Sequence, residues 1–149
     1  MKKERGYCGI GICNPKIEIN LGTLWRSAHC LGVDFIFTIG DRYKKQCSDT
    51  TKAYKHIPYF RFTTIKDFLE HLPYDCQLVG VELLDIAQPL ETFIHPERAI
   101  YILGQEDGNL KKEIIEKCQH IVKFESKYCL NVASAGTVVL YDRQSKLIN

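Results

Sequence analysis

Five short, nearly unbroken apolar runs constrain this chain most: YCGIGIC at 7–13, FIFTI at 35–39, QLVGVEL at 77–83, AIYILG at 99–104 and HIVKF at 120–124. A strand with one wet face alternates apolar and polar residues, whereas a strand buried on both faces has no need to. Runs of four to eight residues without alternation therefore predict strands of a mostly parallel sheet covered on both sides. Helical patterns fall between them. IEINLGTLWRSAHCLG at 17–32 places Leu21, Leu24, Trp25, Ala28 and Leu31 at helical spacing, and Gly32 suits a left-handed cap.

RFTTIKDFLEHL at 61–72 reads as a strand end followed by a helix, with Thr64 as N-cap and Asp67 three residues on. NLKKEIIEKC at 109–118 gathers Leu110, Ile114 and Ile115 on one side, and a last helix is predicted from Leu130 to Lys146. The order is β-α-β, an irregular stretch over 41–59, then α-β and β-α-β-α. That alternation argues a single α/β domain over residues 1–149, with helices on both faces of the sheet. A loop as long as 41–59 is commonly functional.

Composition narrows the class. At 45% hydrophobic and 26% charged residues, the chain has the balance of a soluble globular protein. No apolar run approaches the roughly 20 residues that span a bilayer, and MKKERGYCGIGIC carries no apolar stretch of signal-peptide length. The expectation is a cytoplasmic protein without a membrane partner. The seven cysteines are scattered, with no CxxC pair, so neither a metal site nor a disulfide framework is expected. A net charge of +2 neither demands nor excludes nucleic acid. Basic residues interleaved with tyrosine, as in MKKER, DRYKK (41–45) and KAYKH (52–56), can form a phosphate-binding surface.

Ligands of open α/β sheets bind beyond the carboxyl ends of the strands, and three segments are placed to meet there. NLGTLWR at 20–26 puts Asn20 and Gly22 at a helix entrance and Arg26 one turn beyond Gly22. ILGQEDGNL at 102–110 ends a buried strand at Gly104, sets Glu106 just past it, and offers Gly108 and Asn109 for a left-handed turn. CLNVASAGTVVLYD at 129–142 opens a helix with Leu130 and Asn131, followed by the small residues Ala133, Ser134, Ala135 and Gly136. Taken singly, each has a plain structural explanation: a surface arginine, a loop-bracing carboxylate, tight helix packing.

Together, and in this order, the three resemble the motifs of the SpoU-type (TrmH-like) RNA 2′-O-ribose methyltransferases of the SPOUT class. The first is carried by Asn20, Gly22, Arg26 and Gly32, the second by Gly104, Glu106 and Leu110, the third by Leu130, Asn131, Ala133 and Tyr141. The resemblance spans nearly the whole chain. It implies an α/β fold whose C-terminal segment forms a deep trefoil knot, an exception to unknotted topology. It implies S-adenosylmethionine as cofactor, held at Leu103, Gly104, Phe124, Cys129 and Leu130. Arg26 would be catalytic, with Asn20, Glu106 and Asn131 shaping the site.

The family's homodimer would use the apolar half of the last helix, including Val138, Val139 and Tyr141. The chain is similar to minimal, catalytic-domain-only members, which favours tRNA over rRNA as substrate. Arg5, Arg42, Lys44, Lys45, Lys52 and Lys55 are then the candidate phosphate contacts. The chain departs from the family pattern in three places. Asn109 stands where a glycine is usual, Cys129 where a serine is usual, and the segment ESKY (125–128) is short. Two further readings stand beside the main one: an RNA-binding protein that kept the fold without catalysis, and a methyltransferase acting on a base nitrogen. A flavodoxin-like nucleotide-binding protein would explain the strands but not the three motifs.

Overall fold

Among the described residues, seven strands form one sheet in which every pairing is parallel. The structure is a computed structural model that describes residues 6–40 and 56–148. The strands are β1 (Tyr7–Cys13), β2 (Phe35–Ile39), β3 (Tyr59–Phe62), β4 (Gln77–Val81), β5 (Gln88–Pro89), β6 (Arg98–Leu103) and β7 (His120–Lys123), and they lie in the order β3-β2-β1-β6-β4-β7-β5. The helices are α1 (Glu18–Cys30), α2 (Ile65–Glu70), α3 (Lys112–Lys117) and α4 (Val132–Ile148), with a 3-10 turn at Leu90–Thr92. The five strands expected from the apolar runs are all present. The two not foreseen as full strands, β3 and β5, are edge strands of four and two residues.

Period-two alternation divides the sheet's side chains between two cores. On one face, Ile10, Ile12, Ile36, Ala99, Tyr101 and Leu103 pack with Leu21, Leu24, Trp25 and Ala28 of α1 and with Ala133, Val139 and Leu140 of α4. On the other, Phe35, Phe37, Ile39, Leu78, Ile100 and Ile102 meet Phe68 of α2 and Ile114 of α3. Both faces are covered, which is why the runs are apolar throughout. Gly9 and Gly11 are the gaps in β1, and the rings of Phe35 and Phe37 from β2 lie over them where a Cβ would stand.

Local chemistry sets the element ends. Gly32 ends α1 with φ +77°, the left-handed geometry expected of it. The Thr64 hydroxyl accepts from the Asp67 N–H at 3.0 Å and starts α2. Gly108 and Asn109 do not adopt the left-handed backbone expected of them. The helix expected from residue 109 starts at Lys112 instead. Lys111 stands before the helix with extended backbone (φ −61°, ψ 140°), and the Leu110 N–H is held by the Glu82 carboxylate at 2.7 Å.

One feature of the topology matters for the site. β4 and β5 follow one another in the chain, joined by residues 82–87, yet β7 lies between them in the sheet.

Candidate active site

The carboxyl ends of β1, β4, β6 and β7 lie on one edge of the sheet, because parallel strands end on the same side. Hydrogen bonds there join segments far apart in sequence. The Glu106 carboxylate, just beyond β6, accepts from the Lys16 N–H at 3.1 and 2.8 Å and from the Ile17 N–H at 2.7 Å. It thereby fixes the entrance of α1, and two charge-assisted bonds to backbone amides are among the stronger bonds available to a loop. Asn14, at φ +56°, donates its Nδ2–H to Gln105 Oε1 at 2.7 Å, and the Lys16 ammonium lies 3.7 Å from Asp107.

A second junction joins the two helices. Asn131 Oδ1 accepts from the N–H of Ala133 at 2.8 Å and of Ser134 at 3.3 Å, capping α4. Its Nδ2–H donates to Asn20 Oδ1 at 2.8 Å. Asn20 is only 5% exposed, in the first turn of α1. The structure thus brings Asn20 and Asn131 into direct contact, across 111 positions of sequence. Arg26 lies on the same helix as Asn20, about 9 Å further along at 1.5 Å per residue, and is exposed.

The small residues opening α4 have an immediate structural use. Ala133 is fully buried, and a Cβ on Gly136 would come within 2.6 Å of Leu24, 3.0 Å of Leu103 and 3.3 Å of Ile10. They seat α4 directly on α1 and the sheet.

Of the residues expected to hold a cofactor, Gly104 begins the loop after β6, and a Cβ there would crowd the Leu110 N–H at 2.9 Å. Leu103 is 2% exposed with its side chain in the core, so only its backbone can face a ligand. Phe124 packs at the core's margin, Cys129 is exposed, and Leu130 presents its side chain at 44% exposure. Val139, expected at a dimer surface, is fully buried against the sheet. The helical period points it inward while Val138 and Tyr141 stay exposed. The basic residues Arg5, Arg42, Lys44, Lys45, Lys52 and Lys55 lie outside the described residues.

Cys8 and Cys13 are buried and Cys118 is partly so. Desolvation pushes Cys8 and Cys13 up to about 11 and Cys118 up to about 12, so none is a thiolate at neutral pH. Among the described residues, no cluster of His, Cys, Asp or Glu could hold a metal ion, and no helix is long and apolar enough to cross a membrane. Glu82 is a site-edge residue the sequence reading missed. Its signal was a carboxylate closing an otherwise apolar parallel strand, where such strands deliver functional groups.

The SpoU rRNA methylase family model matches residues 9–141, taking in all three motif segments. The chain belongs to the SpoU rRNA methylase family. Solved structures agree in fold. The SpoU methyltransferase AviRb from Streptomyces viridochromogenes superposes with a TM-score of 0.84 at 20% identity, over 99% of this chain and 61% of that one. The A. aeolicus TrmH/SpoU tRNA modifying enzyme gives 0.81 at 19% identity, over 97% and 77%. A protein whose structure addresses 2-OH methylation of C/U34 on tRNA gives 0.82 at 19%, over 96% and 97%. The chain therefore spans about three fifths of AviRb but nearly all of the C/U34 protein. No curated protein matches it in sequence. AviRb and an rRNA methyltransferase from Sinorhizobium meliloti have been solved with AdoMet bound.

Proposed function

We propose that this SpoU-family chain transfers a methyl group from S-adenosylmethionine to a ribose 2′-hydroxyl of RNA, with tRNA as the substrate, and that it works as a homodimer. The observation that carries the reading is the junction of all three motif segments at one sheet edge, through Glu106 to 16–17 and Asn131 to Asn20. The protein whose structure addresses 2-OH methylation of C/U34 on tRNA matches this chain along almost its full length, which favours ribose and tRNA.

The residues present fit an adenosyl cofactor. The loop after β6 and the turn before α4 meet the sheet edge, and Leu130 exposes an apolar side chain there. Backbone groups of Leu103 and Gly104, with Phe124, Cys129 and Leu130, would hold it. When bound, S-adenosylmethionine supplies an electrophilic methyl carried on a sulfonium. A ribose hydroxyl is a poor nucleophile and must lose its proton as the oxygen–carbon bond forms.

Arg26 is a permanent cation and no base. It orients the 2′-hydroxyl and stabilises negative charge growing on that oxygen, while the proton passes to a phosphate of the RNA or to water. Asn20 and Asn131 hold α1, and with it Arg26, against the start of α4. Much of the rate comes from this positioning.

The trefoil knot belongs to the same proposal, supported by β7 lying between the consecutive strands β4 and β5. So does the dimer, whose surface would use Val138 and Tyr141, 39% and 63% exposed on α4.

The test is methyl transfer from labelled S-adenosylmethionine to unmodified tRNA and, separately, rRNA. Label in tRNA is the expected result. Label in neither, with cofactor bound, would favour an RNA-binding protein without catalysis.

A further inference from the structure

We infer that Glu82 is a positioning residue for the cofactor loop, an inference that rests on the methyltransferase reading above. Glu82 follows the last residue of β4 and is bound on two sides. Its backbone N–H donates to the Val122 carbonyl of β7 at 3.1 Å. Its carboxylate accepts from the Leu110 N–H at 2.7 Å through Oε2, and from the Leu83 N–H at 3.1 Å through Oε1. One residue thereby ties the ends of β4 and β7 to the far end of the loop 104–110.

The near end of that loop is tied by Glu106 to residues 16 and 17. The loop is thus held at two points by a carboxylate on backbone amides, and Gly104 at its start packs against Leu110 at its end. Both clamps are charge-assisted bonds. The two differ in what they hold: Glu106 braces the α1 entrance, whereas Glu82 sets the loop's height above β4 and β7. Without Glu82 the Leu110 N–H loses its acceptor, the far end of the loop is no longer tied to β4 and β7, and the backbone at Gly104 shifts with it. A cofactor then binds only the fraction of molecules whose loop is in place, and its apparent affinity falls by that fraction.

The test measures S-adenosylmethionine affinity by calorimetry, and amide hydrogen exchange at Leu110, in the wild-type chain, Glu82→Ala, Glu82→Gln and Thr64→Ala. The Thr64 hydroxyl caps α2 through the Asp67 N–H, so its variant loses stability while every hydrogen bond of the loop stays in place. Glu82→Ala should bind roughly tenfold or more weakly, the scale of one hydrogen bond to a charged acceptor, with faster exchange at Leu110. Glu82→Gln keeps an acceptor oxygen and should recover most of the affinity. Thr64→Ala should bind as wild type.

Wild-type affinity in Glu82→Ala, or equal loss in Glu82→Ala and Thr64→Ala, would overturn the role of Glu82 alone. A wild-type chain that takes up no S-adenosylmethionine would overturn the proposed function, and this role with it.

Discussion

Asn131 performs two tasks with one amide, and removing it should expose both. Asn131→Ala leaves the Ala133 and Ser134 N–H groups at the start of α4 without their cap, at a cost of about 1 kcal/mol. It also strips the partner from Asn20 Oδ1, in a residue only 5% exposed. A buried polar group left unsatisfied costs about 1–3 kcal/mol. The sum is about 2–4 kcal/mol, or roughly 4–16 °C in Tm at about 2–4 °C per kcal/mol for a chain of this size.

A double-mutant cycle separates the terms. Asn20→Ala, Asn131→Ala and the pair, unfolded in urea, should show a coupling of about 1 kcal/mol for the side-chain bond. The capping loss should persist in the Asn20→Ala background. Asn131→Asp keeps the cap and can accept from the Asn20 amide once that amide turns over, so it should stay within about 1 kcal/mol of wild type. Additive single variants, with no coupling, would refute the Asn20–Asn131 bond as the tie between α1 and α4.

Arg26→Ala should abolish methyl transfer while leaving Tm unchanged, because the side chain is exposed; normal turnover by the folded variant would remove its assigned role. Gly136→Ala should cost up to about 2 kcal/mol. Its methyl arrives 2.6 Å from the buried Leu24 side chain, an overpacking of about 1–3 kcal/mol, against about 1 kcal/mol gained by replacing a helical glycine. A rise in Tm would show that Leu24 gives way freely.

His95 should make stability depend on pH. Its Nδ1 accepts from the Tyr101 hydroxyl at 2.7 Å, that hydroxyl accepts from Arg143 at 3.1 Å, and its Nε2–H donates to Asp142 at 2.7 Å. Burial lowers its pKa more than the Asp142 carboxylate raises it, with Arg143 and Lys146 lowering it further. The folded state thus holds the neutral ring. Stability should be full above the unfolded value of about 6.5 and fall as pH drops through the lower folded value. A His95→Gln chain should lack this part of the slope in a Tm-against-pH series.

Much of the fold could be read in the sequence because its signals are local. The run YCGIGIC needs no partner to announce a strand buried on both faces, and β1 spans those seven residues. The Thr64 cap likewise depends only on a hydroxyl and an amide three residues on. What stayed hidden depends on contacts between distant segments. Leu110 is held by Glu82, 28 positions before it, and no helical period reports that bond.

Val139 and Val138 look alike in sequence, and only the seating of α4 on the sheet sends one inward and the other out. The small residues Ala133 and Gly136 announced a close approach but not its object, which is Leu24, Leu103 and Ile10. Asn20, Glu106 and Asn131 were legible through their motifs. Their bonds, Asn131 to Asn20 and Glu106 to the amides of 16 and 17, were not.

Methylation of a ribose hydroxyl is read straight from a nucleoside digest. Unmodified tRNA would be incubated with the protein and S-adenosylmethionine carrying a labelled methyl, digested to nucleosides, and resolved by mass spectrometry. The label should appear on the sugar, as a 2′-O-methyl nucleoside. Label on a base nitrogen, with the sugar unmodified, would contradict it.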